Sequence, residues 1–427
     1  MKTLIIGSGV SCKAVYKYLK DKKCSCEILE KFTESSELFD KLESGKFSRV
    51  IVSPGIKLDK NIIFQLKKRK IALYGEMEFG MSKINNKIIA VTGTNGKTTT
   101  VSLIGYLLRK YLSGSCVAGN IGVPITSLIN KLNDEVVVLE CSSFQLETIN
   151  KFSPHIAVIL NISEDHLNRH KTMKEYIRCK YKITKNQTEK DFLLLNADDD
   201  YLFNNSPKTK AKIYYFSTKN KVFGVYLKNK IAYFFDGIKE EKLVSLSKVC
   251  LKGEHNLSNI LASILSVYLL TKDKNLLKDV LMFQGVPHRI EFVNNIKGVE
   301  FYNDSKATNI SSCLVACNSF NCKINLILGG SDKGYNFDDL FKNLPKNVKN
   351  VAIFGETKTK IAFSIKKFNF KNYCFFDNLR DCVTHLFNIS LPGEVVLLSP
   401  ACASFDQFES YEHRGNVFKN IVNELCE

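Results

Sequence analysis

The sequence predicts an α/β fold in three domains. Short apolar, β-branched runs recur along the chain, and each ends in a glycine or polar loop that leads into a helical pattern. One such unit, Val91-Thr92-Gly93-Thr94-Asn95-Gly96-Lys97-Thr98-Thr99, carries Lys-Thr directly after its last glycine. The 427 residues exceed what one hydrophobic core organises, and 44% apolar content is enough for several.

In chain order, Leu4-Ile5-Ile6 reads as a strand that enters Gly7-Ser8-Gly9 and then a helix with Ala14, Val15, Tyr18 and Leu19 on one side. The turn is similar to a dinucleotide fingerprint with Cys12 where the third glycine stands. A second strand, 26–29, ends at Glu30, and a third, 49–52, ends in Ser53-Pro54-Gly55. Ligands of Rossmann-like sheets collect at such strand ends, so residues 1–83 read as a Rossmann-like ligand domain. Met1-Lys2-Thr3 leads straight into the first strand, so no signal peptide and a cytoplasmic location are expected.

The strand 87–92 opens a central P-loop ATPase-like α/β domain spanning 84–285. Its loop is a short G-x-x-G-K-T, with Val91 where the longer form has a glycine. Small residues let backbone N–H groups close on phosphate oxygens, and the following helix adds its unpaired N–H groups and positive dipole end. That helix sets Val101, Ile104, Leu108 and Leu112 on one face. Lys97 is placed to reach the β/γ-phosphates, and Thr98 to ligate Mg²⁺.

Further strand-then-loop units deliver Glu140 after 136–139, and Asn161 to His166 after 156–160. A helix from Met173 carries Tyr176, Ile177 and Lys180, and residues 212–250 read as an antiparallel insert. Gly253-Glu254-His255-Asn256 opens a long apolar helix containing Asn259. A C-terminal Rossmann-like domain, 286–427, repeats the grammar: strands end at Asn303-Asp304-Ser305-Lys306, Gly329-Gly330, Gly355 and Ser399-Pro400.

The net charge of +18 comes from lysines dispersed among polar residues, which suits an anionic small substrate and argues against nucleic acid. Fourteen cysteines lack framework or zinc-finger spacing and read as reduced, buried thiols. The longest apolar stretch, 260–270, is too short to span a bilayer.

Taken in order, these loops identify a resemblance. Gly93 to Thr98, Glu140-Cys141-Ser142-Ser143-Phe144-Gln145-Leu146, Glu164-Asp165-His166 and Asn256 with Asn259 are followed by His288-Arg289, Asp304 to Asn309, and Ser399 to Asp406. Together they resemble the Mur ligase family over nearly the whole chain, and the last two motifs resemble the branch that adds D-glutamate. The Asp-Asn-Pro-Arg signature of the diaminopimelate-adding branch is absent. A folylpolyglutamate-synthetase-like ligase is the alternative enzyme, although the Gly7-Ser8-Gly9 domain suits a nucleotide-sugar better than a folate. A basic nucleotide switch leaves the Asp304 and Ser399 motifs without a use.

The resemblance implies a monomer that couples ATP to amide-bond formation between UDP-N-acetylmuramoyl-L-alanine and D-glutamate through an acyl phosphate. It implies ATP contacts from Gly93, Thr94, Asn95, Gly96, Lys97, Thr98, Thr99, Asn256, Asn259, Arg289 and Asp304. Two Mg²⁺ ions would be held by Thr98 with Glu140, and by His166 with a carbamylated Lys180. Lys97, His166, Lys180 and Lys306 are the catalytic set it implies, Lys306 facing the developing tetrahedral charge. The UDP-substrate would lie on Ser11, Glu30, Ser53, Gly55 and Asn120, and D-glutamate on Thr308, Lys333, Ser404, Phe405 and Tyr411.

Overall fold

The computed structural model describes residues 2–31, 35–251, 253–332, 334 and 336–425. The described strands form three sheets, and each helix run between them covers a sheet face, as parallel pairing requires.

In the first sheet, β1 (Thr3–Ile6), β2 (Cys26–Leu29), β3 (Arg49–Val52) and β4 (Ala72–Gly75) are parallel in the order β2-β1-β3-β4. The fourth strand was not expected from the sequence; it is a half-buried edge whose pattern is too short to read. Ile6 pairs with Leu29 on one side and Val52 on the other, so the loops after β1, β2 and β3 open at one edge. Gly7 has φ +118°, and a Cβ there would stand 2.8 Å from the Cβ of Ser53, so only glycine fits. Cys12 fills the place of the fingerprint's third glycine: it is 1% exposed and its thiol donates to the Ile6 carbonyl.

The second sheet holds β5 (Ile88–Thr92), β6 (Ser115–Gly119), β7 (Val136–Glu140), β8 (Ile156–Ile159), β9 (Phe192–Asn196), β10 (Lys212–Ser217), β11 (Gly224–Lys228), β12 (Ile231–Phe235) and β13 (Glu240–Ser245). Their order is β13-β12-β11-β10-β9-β8-β5-β7-β6. The segment read as an antiparallel insert is corrected here: β10 pairs in parallel with β9 and with β11, and only β11, β12 and β13 are antiparallel. β10 pairs along the open edge of β9, where Phe192 meets Tyr214 edge-on at 5.9 Å, and Tyr214 also stacks on Phe223, just before β11.

The helix Lys97–Leu108 buries Val101, Ile104 and Leu108 completely. Leu112, expected on the same face, lies beyond the helix with φ +46° and is 77% exposed. The chain reverses there to reach β6, which overrides the helical spacing. The first two sheets are joined through buried carboxylates on the helix Glu76–Met81. Glu76 Oε1 accepts from Thr126 N–H and hydroxyl, and Glu78 accepts from Lys151 and Phe152 N–H.

The third sheet contains β14 (Glu291–Ile296), β15 (Val299–Asn303), β16 (Ile324–Gly329), β17 (Val348–Phe354), β18 (Tyr373–Phe375) and β19 (Val395–Leu398), ordered β14-β15-β19-β16-β17-β18. Only β14 runs antiparallel, as an edge hairpin with β15. Cys313 and Cys317 are fully buried in its core, acting as small apolar side chains. Contacts divide the protein into two compact units, Met1–Val249 with His255–Phe283, and Cys250–Glu254 with Gln284–Glu427. The first unit holds two sheets and the second holds one. Among the described residues no helix is long and apolar enough to cross a membrane.

Candidate active site

In the first unit the phosphate loop leaves β5 at Thr92 and enters its helix at Lys97. Gly93 and Gly96 have φ +153° and +83°, a path that L side chains resist. A Cβ on Gly96 would stand 2.2 Å from Asn259 Oδ1, so the long apolar helix presses directly on the loop. Asn259 in turn donates to buried Asn256 at 3.1 Å. Asn161, at the end of β8, clamps the loop from the other side: its Oδ1 accepts from Thr94 and Asn95 N–H and its Nδ2 donates to Asn95 O. Thr99 is buried behind the loop, while Asn95 is exposed at its tip.

Two lysines converge on one carbonyl. Lys97 Nζ lies 2.9 Å and Lys180 Nζ 2.6 Å from Gly93 O. Lys180 is 1% exposed, with its ammonium nitrogen 4.5 Å from the ring centre of Tyr176, one helical turn earlier. Burial, then repulsion from Lys97, holds its pKa well below the usual lysine value, against the pull of Asp165. The Tyr176 hydroxyl meets Thr94 Oγ1 at 3.1 Å, so the helix Met173–Tyr181 is fastened to the loop.

Glu140, at the C-terminal end of β7, is 2% exposed. Its Oε2 accepts from Thr98 Oγ1 at 2.9 Å and its Oε1 from Asn120 Nδ2 at 2.8 Å. Asn120 therefore sits on the β7 carboxylate that also meets Thr98 of the phosphate loop. A carboxylate beside a threonine hydroxyl is an all-oxygen donor set, which fits a hard cation such as Mg²⁺. His166 has φ +53° and caps a short helix, and its ring packs on Phe144 at 4.8 Å. Phe144 is placed by a capping box in which Ser142 and Gln145 satisfy each other's backbone N–H. Burial lowers the His166 pKa, Lys97 and Lys180 lower it further, and Asp165 opposes them. The result favours the neutral imidazole, the form that can ligate a cation.

At the open edge of the first sheet, Ser11 lies in the helix Val10–Asp21, Glu30 follows β2, and Ser53 and Gly55 follow β3. All are accessible, and the register of β1 brings their loops together.

In the second unit, Asp304 directly follows β15 and is 4% exposed. Its Oδ2 accepts from Ser399 Oγ at 2.7 Å and its Oδ1 from Ile290 N–H at 3.2 Å. Burial pushes its pKa up to about 7, with Ser399 and then Arg289 pulling the other way. Arg289 Nε is buried without a hydrogen-bond partner, leaving a donor for a ligand oxygen. Lys306 Nζ lies 5.4 Å over the Tyr411 ring. Thr308 N–H donates to Lys306 O; Ser404 is buried, and Phe405 beside it is 73% exposed. Lys333 falls outside the described residues.

Sequence reasoning assigned no role to Arg414, which is fully buried and binds both loops of this site. Its Nε donates to Ser305 Oγ, Nη2 to Ser305 O and Cys402 O, and Nη1 to Ala403 O. Nothing local marks it, since the loops it joins lie over a hundred residues apart in one case and about ten in the other. Asn161 was visible as a strand-end polar residue, but its grip on the loop depends on β8 lying beside β5.

Fold and site together define an α/β protein with a glycine phosphate loop of the P-loop kind. The Mur ligase middle domain matches residues 91–267 and the Mur ligase glutamate ligase domain matches 288–402. The chain belongs to the Mur ligase family. It is 39% identical to the UDP-N-acetylmuramoylalanine–D-glutamate ligase of Caldicellulosiruptor bescii, over 99% of this chain and 97% of that one. With the ligase of the same name from Clostridioides difficile it shares 44% identity over 88% of this chain and 84% of the other. Among solved structures, UDP-N-acetylmuramate-alanine ligase from Thermotoga maritima matches all of both chains at 19% identity with TM-score 0.59. A pseudomurein peptide ligase type C from Methanothermus fervidus matches 99% of both at 17% identity with TM-score 0.61, which is a likeness of fold.

Proposed function

We infer that this protein is an ATP-dependent ligase that adds D-glutamate to UDP-N-acetylmuramoyl-L-alanine in cytoplasmic peptidoglycan precursor synthesis. The observation that carries the reading is the convergence of Lys97, Lys180 and the Thr98–Glu140 pair on one glycine loop, in a chain whose full-length relatives bear that ligase's name. The same full-length relatives disfavour a folylpolyglutamate-synthetase-like activity.

A carboxylate resists attack by an amine, so the γ-phosphoryl group is first transferred to it. The carboxylate oxygen bonds to phosphorus as the β,γ-bridging bond breaks and ADP leaves. The D-glutamate amine then attacks the acyl carbon, loses a proton, and expels phosphate. Such steps need positioning and charge neutralisation more than covalent help from side chains. In this scheme residues 84–285 hold ATP, with Gly93 to Thr99 and Lys97 on the phosphates and Asn256 and Asn259 behind the loop. Residues 286–427 supply Arg289 and Asp304 to the nucleoside, Lys306 to the reacting carboxyl, and Thr308, Lys333, Ser404, Phe405 and Tyr411 to D-glutamate. Residues 1–83 present Ser11, Glu30, Ser53 and Gly55 to the UDP moiety, with Asn120 reaching the substrate from the central sheet.

Bound Mg²⁺ supplies charge neutralisation for the transferred phosphoryl group. Thr98 and Glu140 would hold one ion, and His166 with Lys180 the other. A lysine can serve there only as a carbamate, and the burial of Lys180 against Lys97 favours its neutral amine. Attack of that amine on CO₂, with loss of one proton, yields the anionic oxygen ligand that a hard cation takes.

The activity is tested by measuring phosphate release from ATP with each UDP-muramoyl precursor and each amino acid in turn. Release should require UDP-N-acetylmuramoyl-L-alanine and D-glutamate together. Comparable turnover with L-glutamate or L-lysine refutes the assignment.

A further inference from the structure

A cavity of about 620 Å³ lies within the first unit, between β3, β4 and the helix before β4 on one side and the segment around Phe144–Asn150 on the other. Its volume is in the range of small-ligand sites. Ser53, Pro54 and Ile56 line it, so it adjoins the loop after β3, whereas Ser11, Glu30, Gly55 and Asn120 lie outside its lining. Leu58, Leu66, Leu73, Met77 and Ile149 give it apolar walls.

Two polar features point to an occupant. Glu76 lines the cavity and is 1% exposed; Thr126 satisfies its Oε1, while its Oε2 has no hydrogen-bond partner. An unpaired buried carboxyl oxygen costs free energy that a ligand's polar group relieves. Burial raises the Glu76 pKa, against the two hydrogen bonds from Thr126. The second feature is charge. Arg169 and Glu147 neutralise each other at 2.7 Å, which leaves the lining cationic through Lys67, Arg178 and Lys182. Arg178 is itself paired at 2.7 Å with Glu175, a residue outside the lining.

Arg169 joins this cavity to the neighbouring loop. Its Nη1 donates to Gly55 O at 3.2 Å, its Nη2 to Ile56 O at 3.3 Å, and its guanidinium lies 4.4 Å over Phe144. A negative head group entering beside Glu147 competes for Arg169 and loosens its hold on the loop that follows β3.

We propose that this cavity is an effector site for a small amphipathic anion, an apolar chain with one carboxylate head, whose binding reaches the Ser53–Gly55 loop through Arg169. The coupling half of the proposal rests on the reading of that loop as a contact for the UDP-substrate. The binding half does not.

The chain contains no tryptophan, so Ile63→Trp, on the cavity wall, gives a single indole reporter in the full-length protein. Decanoate below its micelle concentration should change that fluorescence saturably at one site per chain, and calorimetry on the unsubstituted protein should return the same Kd. Decanol should bind about tenfold more weakly, and acetate should not displace decanoate. Lys67→Glu combined with Arg178→Glu, both outside the catalytic set, should weaken decanoate about tenfold and leave decanol unchanged. Saturating decanoate should raise KM for the UDP-substrate with kcat little changed, and this effect should vanish in the double variant. Non-saturable partitioning, equal affinity for decanol, or unchanged decanoate binding in the double variant overturns the site. Saturable binding with an unmoved KM overturns the coupling through Arg169 alone.

Discussion

Arg414→Met tests whether a single buried cation holds the second unit's site together. The guanidinium is 0% exposed and makes hydrogen bonds of 2.9, 2.8, 2.9 and 3.0 Å to Ser305 Oγ, Ser305 O, Ala403 O and Cys402 O. Burial depresses its pKa to about 10, so its desolvation is not free. Methionine fills similar volume but donates nothing, leaving three backbone carbonyls and one hydroxyl without that donor. Each orphaned acceptor costs roughly 1–3 kcal/mol, and the relief of burying a charge returns part of it. A net loss of roughly 3–5 kcal/mol follows, a large share of the roughly 5–15 kcal/mol that stabilises a typical domain. Urea unfolding followed by circular dichroism reads the stability change. The D-glutamate KM reads the loops, because Lys306 and Ser404 are the residues those carbonyls flank. Arg414→Lys should recover only part, since a compact ammonium cannot span both loops. A stability loss under about 1 kcal/mol in the methionine variant, or a lysine variant equal to the parent, refutes the reasoning.

Gly96→Ala combines φ +83° with a Cβ placed 2.2 Å from Asn259 Oδ1, so ATP affinity measured by calorimetry should fall by about tenfold or more and stability by roughly 1–3 kcal/mol. Asp304 titrates near 7 in the folded protein against about 3.9 unfolded. A raised carboxylate pKa means that the folded state binds the extra proton, so its contribution is greatest below pH 4 and declines as pH rises from about 4 to 7. Asp304→Asn should flatten that part of the stability–pH curve, and an unchanged difference curve rejects the burial account. Lys180→Ala should lose nearly all turnover yet keep ATP binding; added acetate or formate should restore part of the rate, while Lys180→Arg should gain nothing. Full activity of the alanine variant without additive rules out the carbamate.

The sequence alone determined the α/β class, the phosphate loop and the strand-end positions of Glu140, His166, Asp304 and Ser399. Those features are local: a strand run, a glycine turn and the helix after it are legible within about ten residues, because backbone geometry and burial periodicity act at that range. The Mur ligase resemblance was likewise carried by short loops in fixed order. Sheet membership was not local. Whether Lys212–Ser217 continued a parallel sheet or began an antiparallel one depended on the open edge of β9, which no spacing encodes. Leu112 kept the helical period but lost the helix because the chain had to turn toward β6.

Only the tertiary structure decided the pairings that give site residues their chemistry. Lys180 is an ordinary helical lysine in sequence. It becomes a buried amine because β5 delivers Gly93 O to within 2.6 Å of its Nζ and Lys97 to the same carbonyl. Asn161 and Arg414 acquire their roles by reaching loops that chain connectivity separates widely. Hydrogen bonding and desolvation act through space, so protonation and loop geometry belong to the fold, whereas the residue types able to exploit them were already written in the chain.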